Sequence, residues 1–142
     1  MTDIDIVEQL NELLAAERAG VDTLSRLGEH PPTPAMRTLF DEIRDDEAWS
    51  CAGLVECLKR LGQQPTRAKG NFAEKVLALP TLPERLRLLN RGQRWVMERI
   101  DGLLPKELHD DSRAFLTEMR DVHVRNVARC DELLVALDGA AR

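Results

Sequence analysis

Glu17, Glu47 and His123 are residue types able to hold a metal ion, and each sits within an otherwise apolar helical stripe. Apolar residues flank each of them at three- and four-residue spacing, the period of a helix face turned toward a core. An ionised carboxylate in a dry interior is costly unless it is paired or bound to a metal. Two carboxylates facing an imidazole have few solutions. A divalent cation would neutralise both, with the imidazole completing a carboxylate-rich site suited to iron, manganese or zinc. Alternatively one carboxylate is protonated, or arginines reach in, with Arg120 one turn before His123 as the first candidate and Arg18 and Arg94 behind it. Ser50, Gln93 and Asn126 also interrupt the stripes. Gln93 and Asn126 read as amides that complete or support the layer without adding charge. Cys51, beside Ser50 and one turn past Glu47, could add a soft ligand that favours zinc.

Four helices must position these groups. The first covers about residues 4–27, with Val7, Leu10, Leu14, Glu17, Val21 and Leu24 on one face and Gly28 as the residue that ends it. The second opens at Thr33-Pro34, an N-cap followed by proline at the first helical position, and stops at Gly62. The third opens on Thr81 to Glu84, a capping-box pattern, and ends at Pro105; the fourth begins near Ser112. About five residues join the first helix to the second and the third to the fourth, which predicts two antiparallel hairpins. Between the hairpins, residues 62–80 carry a short apolar segment, Phe72 to Leu79, long enough to run back along the bundle. The expected fold is all-α: a four-helix bundle of two antiparallel hairpins joined by a long crossover with a short helix.

Counting at about 1.5 Å per residue puts the polar interruptions at similar heights. Gln93 and His123 come out level, and Glu17 and Glu47 differ by only about three residues, so their long side chains could meet. Each stripe is apolar at both ends and polar in the middle, which predicts a polar layer across an apolar core.

The bulk numbers fit this. A chain of 142 residues with 43% hydrophobic and 32% charged residues is expected to form one domain over 1–142. A net charge of −5 argues against nucleic acid or an anionic membrane as partner. No apolar run approaches the roughly 18 residues of a membrane span, and the acidic, helical N-terminus is not expected to be a signal peptide. Three cysteines without framework spacing suggest reduced thiols, hence a cytoplasmic protein. Cys57 and Cys130 lie on apolar stripes as small core residues, whereas His30 and His109 fall in turns. Trp49 and Trp95 lie off the stripes; neighbouring side chains could cover them, or they could form a homodimer interface. Phosphate loops and nucleophile–base constellations are absent, so no organic cofactor is indicated.

With these residues in place, the chain resembles the ferritin-like superfamily, and more closely small rubrerythrin-like bacterial bundles. The segments LNELLAAERAG with Glu17 and RDDEAWSCAGL with Glu47 carry the likeness. The superfamily's di-iron pattern is a Glu, then Glu-x-x-His, then the same again. Glu17 and Glu47 match its first two carboxylates, Ser50 stands at the next histidine, Gln93 at the third Glu, and Arg120-x-x-His123 keeps only the final His. The resemblance therefore implies a reduced, mononuclear metal site at Glu17, Glu47 and His123, with Gln93 or water completing it. If the protein is an enzyme, it implies redox or oxygen chemistry at iron; a metal-carrying or sensing role fits equally. The alternative is a metal-free scaffold that acts as a dimerising or partner-binding module, its polar layer fixing helix register.

Overall fold

The computed structural model describes residues 3–141; the expectation of a single domain reaches past them at both ends. The described residues form five helices and no strand: α1 (Ile4–Glu29), α2 (Pro34–Arg60), α3 (Phe72–Leu77), α4 (Leu82–Leu103) and α5 (Asp110–Ala141). Side chains at the helix starts take up the orphan amides. Asp3 accepts from the Asp5 amide at 2.9 Å, Thr33 Oγ1 from Met36 at 3.1 Å, and Thr81 Oγ1 from Glu84 at 3.3 Å. α2 ends as expected at Gly62, whose φ of 69° is the left-handed turn that glycine adopts without strain. There the Gly62 amide donates to Lys59 and the Gln63 amide to Leu58, closing a Schellman motif.

Gly28 departs from the expectation. α1 continues through it to Glu29, and its φ is not positive. It lies against α2, where a Cβ would touch Asp41 Oδ1 at 3.4 Å and Phe40 Cβ at 4.0 Å. Glycine here permits helix approach and does not end the helix. α5 likewise starts two residues earlier than Ser112, with Asp110 and Asp111 in its first turn, where the helix dipole favours acids.

Helices α1 and α2 pack as one hairpin and α4 and α5 as the other; α1 also meets α4, and α2 meets α5. The crossover returns along α1. Arg18 donates to the Thr66 carbonyl and, at 3.4 Å, to Ala68; the Asn11 side chain accepts from the Thr66 amide at 2.9 Å. Lys69 pairs with Asp22 at 3.1 Å. These bonds deliver α3 onto α1 and α4, with Ala73 and Val76 fully buried.

The core divides into two apolar blocks. One gathers Leu10, Leu14, Leu54, Ile100, Leu103 and Leu116; the other gathers Leu24, Phe40, Ile43, Val76, Leu86 and Leu89. Between them lie Glu17, Glu47, Ser50, Gln93, His123 and Asn126, none more than 4% exposed. The polar layer read from the stripes is therefore real, and all four long helices contribute to it.

Candidate metal centre

Glu17 comes from the middle of α1, Glu47 from α2 and His123 from α5. One ligating atom from each lies within 4.8 Å of the others, and all three residues are buried. Gln93, from α4, is 2% exposed and lines the same cavity as Glu17 and Glu47.

His123 is held from both sides. Its Nδ1 donates to the Met119 carbonyl at 2.8 Å, which fixes the ring and turns Nε2 toward Glu17 Oε1, 2.6 Å away. Burial acts to lower the imidazole pKa; the charge and hydrogen bond of Glu17, with the Met119 carbonyl and Asp46, outweigh it and raise the pKa above 6.5. A ring whose Nδ1 hydrogen bonds to a carbonyl presents Nε2 as a metal ligand once the Nε2 proton leaves.

Glu47 rests on the backbone of α1. A Cβ at Gly20 would lie 2.7 Å from the Glu47 carboxyl carbon and 2.9 Å from Oε1, so only glycine leaves room for that carboxylate. Burial, and then the negative charges of Glu17 and Asp46, push the Glu47 carboxyl well above the usual carboxylate range.

Among the described residues, four buried side-chain oxygens have no hydrogen-bond partner: Glu17 Oε2, Glu47 Oε2, Gln93 Oε1 and Asn126 Oδ1. The amide orientations are not arbitrary. Asn126 Nδ2 donates to Asp46 at 3.0 Å, which a flipped amide could not do. Gln93 Nε2 donates to Asn90 Oδ1 at 3.2 Å, and Asn90 spends its own donor on the Val127 carbonyl and Asp131. A protonated Glu47 supplies one hydrogen to a layer with four unpartnered acceptors. Each such group costs about 1–3 kcal/mol when buried.

The arginine alternative does not hold. Arg120 pairs with Asp101 at 2.5 and 3.2 Å at the surface, Arg94 pairs with Asp131 at 3.0 Å, and Arg18 serves the crossover. Their side chains are long enough to leave the core face their spacing suggests. Cys51 lies outside the group of Glu17, Glu47 and His123, half-buried against the Leu10–Leu54 block. Its thiol is pushed up to about 12 by burial and by the charges of Glu17 and Glu47, so it stays protonated near neutrality. Cys130 is likewise held at about 12, and all three cysteines are free. Ser50 bonds back to the Asp46 carbonyl at 3.1 Å.

Three participants escaped sequence reasoning: Gly20, Asn90 and Asp46. Only Gly20 carried a signal, as a helix-interior glycine one turn after Glu17, a position glycine otherwise disfavours. The tryptophans are partly covered by neighbours. Trp49, 38% exposed, packs against Phe115 with the rings tilted by 50° and centroids 5.0 Å apart, and the Arg99 guanidinium lies 4.8 Å over Trp95. Trp95 also borders a cavity of about 470 Å³ that opens beneath α3 and reaches Glu17, Glu47 and Gln93.

The family described as Domain of unknown function (DUF6306) matches residues 4–132. A ferritin-like, diiron-carboxylate protein from Bacillus anthracis str. Ames superposes with a TM-score of 0.80 at 18% identity, covering 94% of this chain and 99% of that one. A protein from Xanthomonas campestris pv. campestris superposes with a TM-score of 0.84 at 12% identity, covering 96% and 93%. The fold is thus ferritin-like. Among curated proteins none matches the sequence. No helix among the described residues is long and apolar enough to cross a membrane.

Proposed function

We propose that this chain, which belongs to the family described as Domain of unknown function (DUF6306), binds one divalent metal ion through Glu17, Glu47 and His123. The observation that carries the reading is the buried, mutually close triad, with Arg18, Arg94 and Arg120 each paired elsewhere. Two carboxylates and a neutral imidazole balance a divalent charge, which leaves the layer between the apolar blocks uncharged. Glu17 Oε1 and His123 Nε2, now 2.6 Å apart, would both turn to the ion as ligands once the proton between them leaves. Gln93 Oε1, unpartnered and locked by Asn90, is the fourth donor in reach of the same cavity. The donor set of oxygen with one nitrogen suits iron, manganese or zinc.

When bound, such an ion supplies Lewis acidity or, as iron, redox chemistry. The chain's own part is to hold the ligands in a layer at most 4% exposed and to keep Nδ1 of His123 on the Met119 carbonyl. The diiron-carboxylate description of the Bacillus anthracis protein supports a metal here, with half the superfamily's ligand pattern pointing to one ion in place of two. The same reading keeps the protein in the cytoplasm, on its free thiols, and makes the exposed edge of Trp49 the surface on which a second copy would pack.

The test is metal content by elemental analysis after separate reconstitution with iron, manganese and zinc, using untagged protein. The parent should hold about one equivalent. His123→Ala and Glu17→Ala should lose it, and Arg120→Ala should keep it. A parent that takes up no metal defeats the proposal and leaves the metal-free scaffold.

A further inference from the structure

The cavity beneath α3 has features that the metal ligands do not require. Its volume, about 470 Å³, falls within the range of small-molecule sites. It runs from exposed Asn71 and Lys75 on the crossover down to Glu17, Glu47 and Gln93 in the core. On α1 its wall is Ala15, Ala16, Ala19 and Gly20, whereas the same helix presents Leu13 and Leu14 just before and Leu24 just after. The segment of α1 that faces the cavity is thus lined by small residues. On α4, Leu89, Trp95 and Val96 complete an apolar lining, and Phe72 of α3 forms the roof over Gly92, where a Cβ would meet its ring at 3.0 Å.

The inner end differs from the walls. Gln93 is 2% exposed, and its Oε1 has no partner. Asn90 takes the amide's nitrogen, so the oxygen cannot be exchanged for a donor. What this end lacks is a hydrogen-bond donor beside the metal ligands. A carboxylate would meet Glu17 and Glu47, and a purely apolar group would leave Gln93 unsatisfied.

We propose that the cavity beneath α3 is the binding site for a small apolar molecule with one hydroxyl head, its hydroxyl against Gln93 and the Glu17–Glu47–His123 group and its body along Ala15, Ala16, Trp95 and Phe72. The proposal rests on the metal-binding reading for the inner end alone; the apolar walls stand without it. The roof is tied down on two sides, by Arg26 to Glu74 at 3.4 Å and by Arg85 to the Leu77 and Leu79 carbonyls at 3.0 and 2.8 Å. Entry therefore runs past Lys75 and Asn71, with α3 left in place.

Trp95 is the reporter. The chain has two tryptophans, so Trp49→Phe leaves Trp95 alone on the cavity wall. This variant, zinc-loaded and metal-free, is titrated with 3-phenylpropan-1-ol, propylbenzene and 3-phenylpropanoate while Trp95 emission is followed and zinc content is measured in the same samples. The alcohol should shift the emission saturably and bind the metal-free protein at least tenfold more tightly than the hydrocarbon or the acid. Ala15→Leu, which fills the cavity without touching a ligand, should weaken binding at least tenfold with zinc content unchanged. Gln93→Leu should abolish the preference for the alcohol over propylbenzene and leave hydrocarbon binding intact. Absence of a saturable shift, or an equal shift in Ala15→Leu, overturns the proposal. If no zinc binds, the metal reading has failed by itself. The metal-free titrations then decide the cavity, through the same loss in Ala15→Leu.

Discussion

At the scale of single residues, the polar layer is assembled from groups that each lack something. Glu47 lacks a counter-charge, His123 shares its Nε2 with Glu17, and Gln93 and Asn126 offer oxygens that nothing meets. Gly20 shows most directly that the layer is shaped around a carboxylate. A helix-interior glycine costs roughly 0.5–1 kcal/mol relative to alanine, so Gly20→Ala should strengthen the isolated helix. Here the added methyl would stand 2.7 Å from the Glu47 carboxyl carbon and drive that side chain from its seat. Gly20→Ala is therefore expected to keep its helical circular dichroism and to lose at least tenfold in metal affinity, about 1.4 kcal/mol. A competition titration against a chromophoric chelator measures this. Parental affinity in the variant would show that Glu47 does not ligate from this seat. Glu17, Glu47 and His123 were legible in the sequence because a charged or titratable side chain in an apolar stripe has few tolerable explanations. Arg120 and Cys51 were not, since spacing assigns a face but not where the side chain ends. Arg120 swings out to Asp101, and Cys51 falls on the flank.

At the scale of elements, caps were readable and packing glycines were not. Thr33, Thr81 and Gly62 announce ends through backbone groups that need partners, a local requirement written in adjacent residues. Gly28, Gly20 and Gly53 answer to partners distant in sequence, so no local pattern separates them from helix stops. Gly53 is the clearest case. It lies on α2 under the ring of Phe115 from α5, where a Cβ would come within 2.6 Å of Phe115 Cδ1, and Trp49 packs against the same ring. Gly53→Ala should therefore destabilise the α2–α5 contact by about 1–3 kcal/mol through overpacking, despite the gain in helix propensity. Urea unfolding of the metal-free protein measures the loss. Adding Phe115→Leu should recover part of it, because the smaller side chain clears the new methyl. If Gly53→Ala alone is as stable as the parent, α2 and α5 do not approach this closely.

At the scale of the whole molecule, two apolar blocks carry the fold and the layer between them opposes it, which couples stability to protonation. Both shifted groups in the layer are displaced upward: Glu47 above the carboxylate range, His123 above 6.5. A raised pKa in the folded state means that folding holds the proton more tightly than the unfolded chain does. The contribution is complete below the unfolded values, about 4.5 for Glu47 and 6.5 for His123, and is lost as pH rises through the raised ones. The metal-free protein should accordingly lose stability between pH 5 and pH 8, by no more than about 1.4 kcal/mol per pH unit for each group. A metal ion must displace these same protons, and its binding strengthens as pH rises. Thermal midpoints measured across the window with chelator should fall with pH, and with saturating zinc the stabilisation over the metal-free protein should grow. Glu47→Gln, which cannot ionise, should flatten the metal-free slope while His123 continues to titrate. A metal-free midpoint that rises from pH 5 to pH 8 would mean that the folded layer binds fewer protons than the unfolded chain, against the upward displacement of Glu47 and His123. A falling one would identify a layer that keeps its protons until an ion displaces them.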